Sequence, residues 1–236
     1  MGTQRNAAKA FRETQCCPPA AGSRLFCHIE VTETEYRVPA IKSFHWGTHL
    51  PTLRAARLTL RTLTEADVAD VLTVFSDPLV LRYWDGPLMT THQDAMQYIE
   101  RIHYGFRRRE LMQWGIADAA TDAVIGTCTL THLSIIHERA EIGFALRQNR
   151  WGQGLGSEAV AAAIDFGIQE LGLHRIEADV DPRNQRSLKL LERLGFHREG
   201  HQRERYFMNG ERQDAVMMAV LSDEWKSRAP QAPQAP

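Results

Sequence analysis

Apolar and polar positions alternate along this chain with periods that change in a definite order. Arg57–Arg61 (RLTLR) alternates residue by residue, the signature of a half-buried strand. From Thr64, a residue suited to cap a helix, Val68, Val71, Leu72 and Phe75 recur at helical spacing until Asp77-Pro78 stops them. The loop YWDGPLMT opens at Tyr83, and a second helix is predicted from about Thr91 to Arg108 on the positions Ala95, Met96, Ile99 and Ile102. Met112–Ala117 and Val124–Leu130 are strand-like and flank a turn at Asp118–Asp122. Glu141–Arg147 (EIGFALR) reads as a strand, Ser157–Leu171 as a helix and Arg175–Val180 (RIEADV) as a strand. Asn184–Leu194 follows as a helix closed by Gly195, which suits a left-handed cap. Phe196 onward and Asp214–Leu221 form a last pair of strands. The order β-α-α-β-β-β-α-β-α-β-β predicts a mixed α/β (α+β) fold with one mixed, mostly antiparallel sheet and helices on both faces.

The two ends lack any sustained period. Residues 1–50 carry Pro18-Pro19 and irregular aromatics, with at most a short strand around Leu25–Val31, and are expected to be a poorly ordered extension. Residues 51–226 are the expected domain. Residues 227–236 are rich in Pro, Ala and Gln and are expected to be a disordered tail.

Composition narrows the function classes. Apolar residues make up 43% and charged residues 24% of the 236, ordinary values for a globular chain. A formal net charge of -1 gives no bulk attraction to nucleic acid or to an anionic membrane. No stretch approaches the ~20 apolar residues of a membrane span, and no signal-like segment opens the chain, so a cytoplasmic protein is expected. Arg107-Arg108-Arg109 reads as the solvated end of a helix. Cys16, Cys17, Cys27, His28, His45 and His49 match no two-plus-two zinc spacing, so no metal is expected. Cys128 is expected in the core rather than as a nucleophile.

The richest chemistry lies in Asn149–Gly172, NRWGQGLGSEAVAAAIDFGIQELG. Gly152, Gly154 and Gly156 stand directly before a strong helix. A helix start leaves unpaired N–H groups and a partial positive charge, and glycines there let a ligand approach the backbone. Together they suit a pyrophosphate. Glycine spacing alone does not separate such a cradle from a plain strand-to-helix turn. The Gly-x-Gly-x-x-Gly and Gly-Lys-Ser/Thr fingerprints are both absent, which leaves a phosphate site of another kind.

The motifs AEIGFAL, RWGQGLGSEA, LGLHRIEADVDPRNQRSLKLLERLGF and NGERQDAVMMAVLSDEW, in this order over about Leu53 to Trp225, resemble the GNAT acetyltransferase superfamily. Within it they are most similar to the ribosomal-protein N-terminal acetyltransferase branch called RimJ/RimL. Trp151 stands where a Gln or Arg often does, as is usual for that branch. The resemblance implies acetyl-coenzyme A as co-substrate, with its pyrophosphate on Gly152, Gln153, Gly154, Leu155, Gly156 and Ser157, next to Trp151. The strands Glu141–Arg147 and Arg175–Asp181 would be parallel and splayed, and the pantetheine arm would pair with backbone of Phe144, Ala145 and Leu146.

The implied reaction is N-acetylation of a primary amine, either a peptide α-amine or a small amine, with no covalent acyl-enzyme. Glu141 is the first choice for the base, with Asp179 in reserve; the bland alternative for Glu141 is an ion pair with Arg139 or Arg175. The common superfamily Tyr falls at Leu191, which has no proton to give. Ser187 of Asn184-Gln185-Arg186-Ser187 takes a similar place as donor to the sulfur, and Asn184 would bind the pantetheine amide, although Asn184 or Asp181 can equally cap the helix. The acceptor pocket is placed between Tyr83, Trp84 and Asp85 and the last hairpin, with Tyr206, Phe207 and Asn209. Leu191 keeps a second reading open, a catalytically weak coenzyme A-binding sensor, and a nucleotide-binding α/β domain stands third. A monomer or a homodimer fits.

Overall fold

The computed structural model describes residues 46–208 and 210–228. They form strands β1 (Leu53–Arg54), β2 (Leu58–Arg61), β3 (Leu111–Asp118), β4 (Val124–Ser134), β5 (Arg139–Leu146), β6 (Arg175–Val180), β7 (His197–Met208) and β8 (Glu211–Leu221). The helices are α1 (Val68–Phe75), α2 (Pro78–Leu81), α3 (His92–Arg107), α4 (Leu155–Gln169), α5 (Gln185–Arg193) and α6 (Ser222–Arg228). The strands make one sheet in the order β1-β2-β3-β4-β5-β6-β8-β7. Every neighbouring pair in it is antiparallel except β5 with β6.

That parallel pair positions the site. Its register spans only Arg139–Glu141 against Arg175–Glu177, while β5 continues to Leu146 and β6 to Val180. Beyond Glu141 the two strands part and leave a wedge in the middle of the sheet. Because side chains alternate along a strand, each face has its own chemistry. Ala140, Ile142, Ile176, Ala178 and Val180 pack with Ala159, Val160, Ala163 and Ile164 of α4 in the larger core. Glu141 and Asp179 therefore point to the opposite face. On that face α1 and α3 close a second core with Ala117, Val124 and Ala145.

Local chemistry explains most boundaries. Thr91 and Asp94 form a capping box that starts α3. Asp77-Pro78 ends α1 as expected but also begins α2: Asp77 accepts from the Leu79 N–H at 2.8 Å, and Pro78 sits in the first turn, where its missing N–H costs nothing. Neither β1 nor α6 has a periodic signal of its own. The described chain starts ahead of the expected boundary at residue 51. Trp46 donates its indole N–H to the Phe106 carbonyl at 2.8 Å and stacks on that ring, and Leu50 is buried. Cys128 is fully buried, and burial pushes its thiol up to about 12. No helix among the described residues is long and apolar enough to cross a membrane. The segment Leu25–Val31, and Cys16, Cys17, Cys27, His28, His45 and Asn209, lie outside the described residues.

Candidate active site

At the wide end of the wedge the chain passes from β5 through a short 3₁₀ turn, Gln148–Arg150, into α4. Gly152 and Gly154 have φ of 75° and 78°, backbone that L side chains rarely adopt. Gly154 is the N-cap of α4 and offers no side chain to satisfy the helix, whose first bond is Glu158 N–H to Gly154 carbonyl at 3.1 Å. The amides of Leu155, Gly156 and Ser157 ahead of it are the helix's orphan donors. A Cβ on Gly152 would meet nothing within 4 Å, so the cradle is open on that side. Gly156 is different: a Cβ there would stand 3.0 Å from Leu190 Cδ1 and 3.3 Å from Leu146 Cδ1. Two glycines thus shape the cradle, and the third lets α4 pack closely. Trp151 ties this loop to the strand by donating its indole N–H to the Leu146 carbonyl at 2.8 Å, and the Arg186 guanidinium lies over its ring at 4.6 Å.

The open edge of β5 follows from its pairing. Arg147 N–H donates to the Ile125 carbonyl at 2.9 Å, and the Ala145 carbonyl lies against Gly126, only 2.2 Å from where a Cβ would be. Backbone groups alternate between the two edges of a strand, so those of Phe144 and Leu146 face the wedge. Ala145, expected alongside them, turns its polar groups to β4 instead.

Glu141 and Asp179 stand near each other below the cradle. The side chain of Asp179 is 3% exposed, and its Oδ2 accepts from the Tyr206 hydroxyl at 2.7 Å and from Arg205 Nε at 3.1 Å. Glu141 meets His132 Nδ1 at 3.2 Å. Arg139 and Arg175, the expected alternatives, both pair with Glu177, at 2.7 Å each. Burial raises the Glu141 pKa, and the Asp179 carboxylate raises it further, against the opposing pull of His132 and Arg205. Burial, then the hydrogen bond to Asp179, pushes Tyr206 up to about 12, so its hydroxyl stays protonated and donates. Asp179 is thus engaged by two donors, while Glu141 is a half-buried carboxylate with a raised proton affinity and an imidazole neighbour.

A profile described as "Acetyltransferase (GNAT) domain" matches residues 57–197, more than half of the chain. The chain belongs to the GNAT acetyltransferase family. The uncharacterised N-acetyltransferase p20 of Bacillus licheniformis is 39% identical over 177 residues, 75% of this chain and 99% of its own. The spermidine N(1)-acetyltransferase of Vibrio cholerae is 27% identical over 175 residues, 74% of this chain and 98% of its own. The solved structure of a Vibrio cholerae spermidine N-acetyltransferase in complex with CoA and spermine is similar at a TM-score of 0.64 and 26% identity, over 72% of this chain and 99% of that one.

The remaining residues expected at a GNAT site divide between polar groups at the α5 junction and side chains that pack. Asn184 caps α5, its Oδ1 accepting from the Ser187 N–H at 3.2 Å, which leaves the amide NH2 as its donor. Asp181 does not cap; it holds Arg183 through the backbone N–H and Nη2, both at 2.7 Å. Leu191 is fully buried in the core, and Ser187 lies half-buried one turn before it. Tyr83 reaches the same junction: its hydroxyl donates to the Arg183 carbonyl at 3.4 Å, and Arg82 and Arg183 lie over its ring at 5.3 and 5.8 Å. Trp84 packs on Phe75 at 5.7 Å, partly buried against the second core. Asp85 and Phe207 are exposed, Phe207 at 73%. Sequence reasoning missed His132 and Arg205, the partners of Glu141 and Asp179. Both are placed by left-handed backbone at non-glycine residues, His132 itself at φ 50° and Glu204 at φ 51°, each inside a break of strand register. Such strain persists only where the surroundings enforce it.

Proposed function

We propose that this chain transfers the acetyl group of acetyl-coenzyme A directly to a primary amine, with Glu141 taking the amine's proton. The single observation that carries this reading is the setting of Glu141: a carboxylate with a raised pKa, at the point where β5 and β6 part, on the same wedge as the glycine cradle. The groups present fit the co-substrate. Orphan amides from Gly152 to Ser157 suit a diphosphate, and the open backbone edge at Phe144, with the Leu146 N–H beyond it, suits an amide-bearing arm. Acetyl-coenzyme A supplies the activated thioester when bound, so no enzyme nucleophile is needed. Glu141 accepts the proton directly or through one water. Asp179 sustains the raised proton affinity of Glu141 by like charge, and Tyr206 and Arg205 hold Asp179 in place. The Asn184 amide binds the arm, and the Ser187 hydroxyl donates to the departing sulfur.

The acceptor is a primary amine. Relatives named as acetyltransferases of spermidine and of the alanine of ribosomal protein uS5 mark the two chemical kinds to test. Thiol release from acetyl-coenzyme A is measured over spermidine, spermine, simple primary amines and peptides with N-terminal Ala or Ser. Transfer to one kind is the expected result. Tight coenzyme A binding with no release on any amine overturns the enzyme reading in favour of a sensor.

Two variants refine the assignment. Asp179→Asn removes the like charge, so the proton affinity of Glu141 falls and the acid limb of kcat/KM moves to lower pH. A limb that stays in place or moves up contradicts the coupling. Ser187→Ala is expected to lower kcat about tenfold, the loss of one hydrogen bond that strengthens as charge develops on sulfur. KM for acetyl-coenzyme A should hardly change, and the pre-steady-state rate of thiol release reads the effect.

A further inference from the structure

We propose that Arg57 is a positioning residue of the cradle, one that aims the Gly154 amide and cancels a carboxylate which would otherwise repel the diphosphate. The proposal rests on the reading of the cradle as the coenzyme A site. Arg57 lies just before β2, far from α4 in sequence, yet it makes three contacts there. Its backbone N–H donates to Glu158 Oε1 at 2.6 Å, its Nε to Glu158 Oε2 at 2.8 Å, and its Nη1 to the Gln153 carbonyl at 3.0 Å. Its Nη2 stands 3.4 Å from where a Cβ on Gly154 would be.

Two consequences follow. The peptide unit between Gln153 and Gly154 is planar and trans, so its carbonyl and N–H point in opposite directions. A carbonyl held by Arg57 turns the Gly154 N–H to the side away from Arg57. Without that grip the peptide, which has the permissive backbone of Gly154 on one side (φ 78°), is freer to rotate and present a carbonyl oxygen where an anion needs a donor. Glu158 is the second matter. A carboxylate in the first turn of a helix suits the dipole, but it also competes with any anion bound at the same end. Its side chain is only 17% exposed, so solvent screens it poorly, and Arg57 is the cation paired with it.

The test uses the full chain with coenzyme A in calorimetry and two donors in turnover, acetyl-coenzyme A and S-acetyl-pantetheine, which lacks the diphosphate. Arg57→Ala is expected to weaken coenzyme A binding and raise KM for acetyl-coenzyme A about tenfold, with kcat at saturation nearly unchanged. With S-acetyl-pantetheine the same variant should match wild type. Adding Glu158→Gln to Arg57→Ala should recover part of the lost affinity, because the negative charge left without its cation is gone. Arg57→Lys should fall between wild type and alanine, since it keeps the charge without the fork of donors. The proposal is overturned if Arg57→Ala binds coenzyme A as wild type does. It is also overturned if the loss is equal on both donors, which marks general damage to the fold, or if the double variant binds no better than the single. Wild-type chain that ignores coenzyme A overturns the functional reading itself and this inference with it.

Discussion

Glutamine in place of Glu141 is expected to lower kcat by about 10²- to 10³-fold while coenzyme A binds as before. The substitution keeps the volume and one hydrogen-bond acceptor and removes the proton acceptor alone. Dissociation of coenzyme A measured beside turnover separates the two outcomes. If Glu141→Gln turns over like wild type while Asp179→Asn is inactive, the base is Asp179 and the class of reaction survives. The pH dependence carries the same assignment. A base works unprotonated, and burial together with Asp179 raises the Glu141 pKa. The rate should therefore climb with pH through a value above the ordinary carboxylate range, and Glu141→Gln should lose that limb.

The same shift predicts a stability change with a definite sign. A carboxyl whose pKa is higher folded than unfolded binds more protons in the folded chain, so ionising it costs folding free energy. That cost is absent below the unfolded pKa and fully present above the raised folded one. Glu141→Gln cannot ionise. Its thermal midpoint should therefore exceed that of wild type at neutral pH, with the gap closing as pH falls into the carboxylate range. A residue kept at the expense of stability is what a reactive site requires. A midpoint that drops at neutral pH would instead make Glu141 a structural carboxylate held by His132.

Local patterns were legible and long-range ones were not. The alternation of RLTLR locates β2, and the apolar spacing after Thr91 locates α3 to within a residue at either end, because both signals lie inside the element they define. The glycine junction was readable for a similar reason: the unpaired amides of a helix start are a property of local sequence. Ala145 shows where this stops. Alternation tells that neighbours on β5 face opposite edges, but which edge lies open depends on a partner strand far along the chain. His132 and Arg205 had no signal at all. A left-handed backbone is usually sought at Gly, Asn or Asp, whereas here it falls at His132 and Glu204, imposed by breaks in strand register. The Arg57–Glu158 pair spans 101 positions, so neither residue announces the other. Asp77-Pro78 was read as a stop because the residue pair that ends one helix is also well suited to begin another.

Gly154→Val is expected to weaken coenzyme A binding about 100-fold. Three effects converge at this position. A β-branched side chain at φ 78° is strained by about 2 kcal/mol, so the loop relaxes away from the left-handed turn that presents the amides. The first turn of α4 then loses its N-cap geometry. The new side chain also crowds the Arg57 guanidinium, whose Nη2 is 3.4 Å from the Cβ position. Gly156→Ala provides the contrast, because a side chain added two residues further on acts on packing. Its Cβ would press on the tips of Leu190 and Leu146, which yield by a few tenths of an ångström, so the thermal midpoint should fall while affinity changes little. The cradle is defined by backbone direction at Gly154 and not by room at Gly156, and the two variants should accordingly fail in different assays. Equal affinity for coenzyme A in Gly154→Val and wild type would place the diphosphate elsewhere on the protein, and with it the whole line of approach to Glu141.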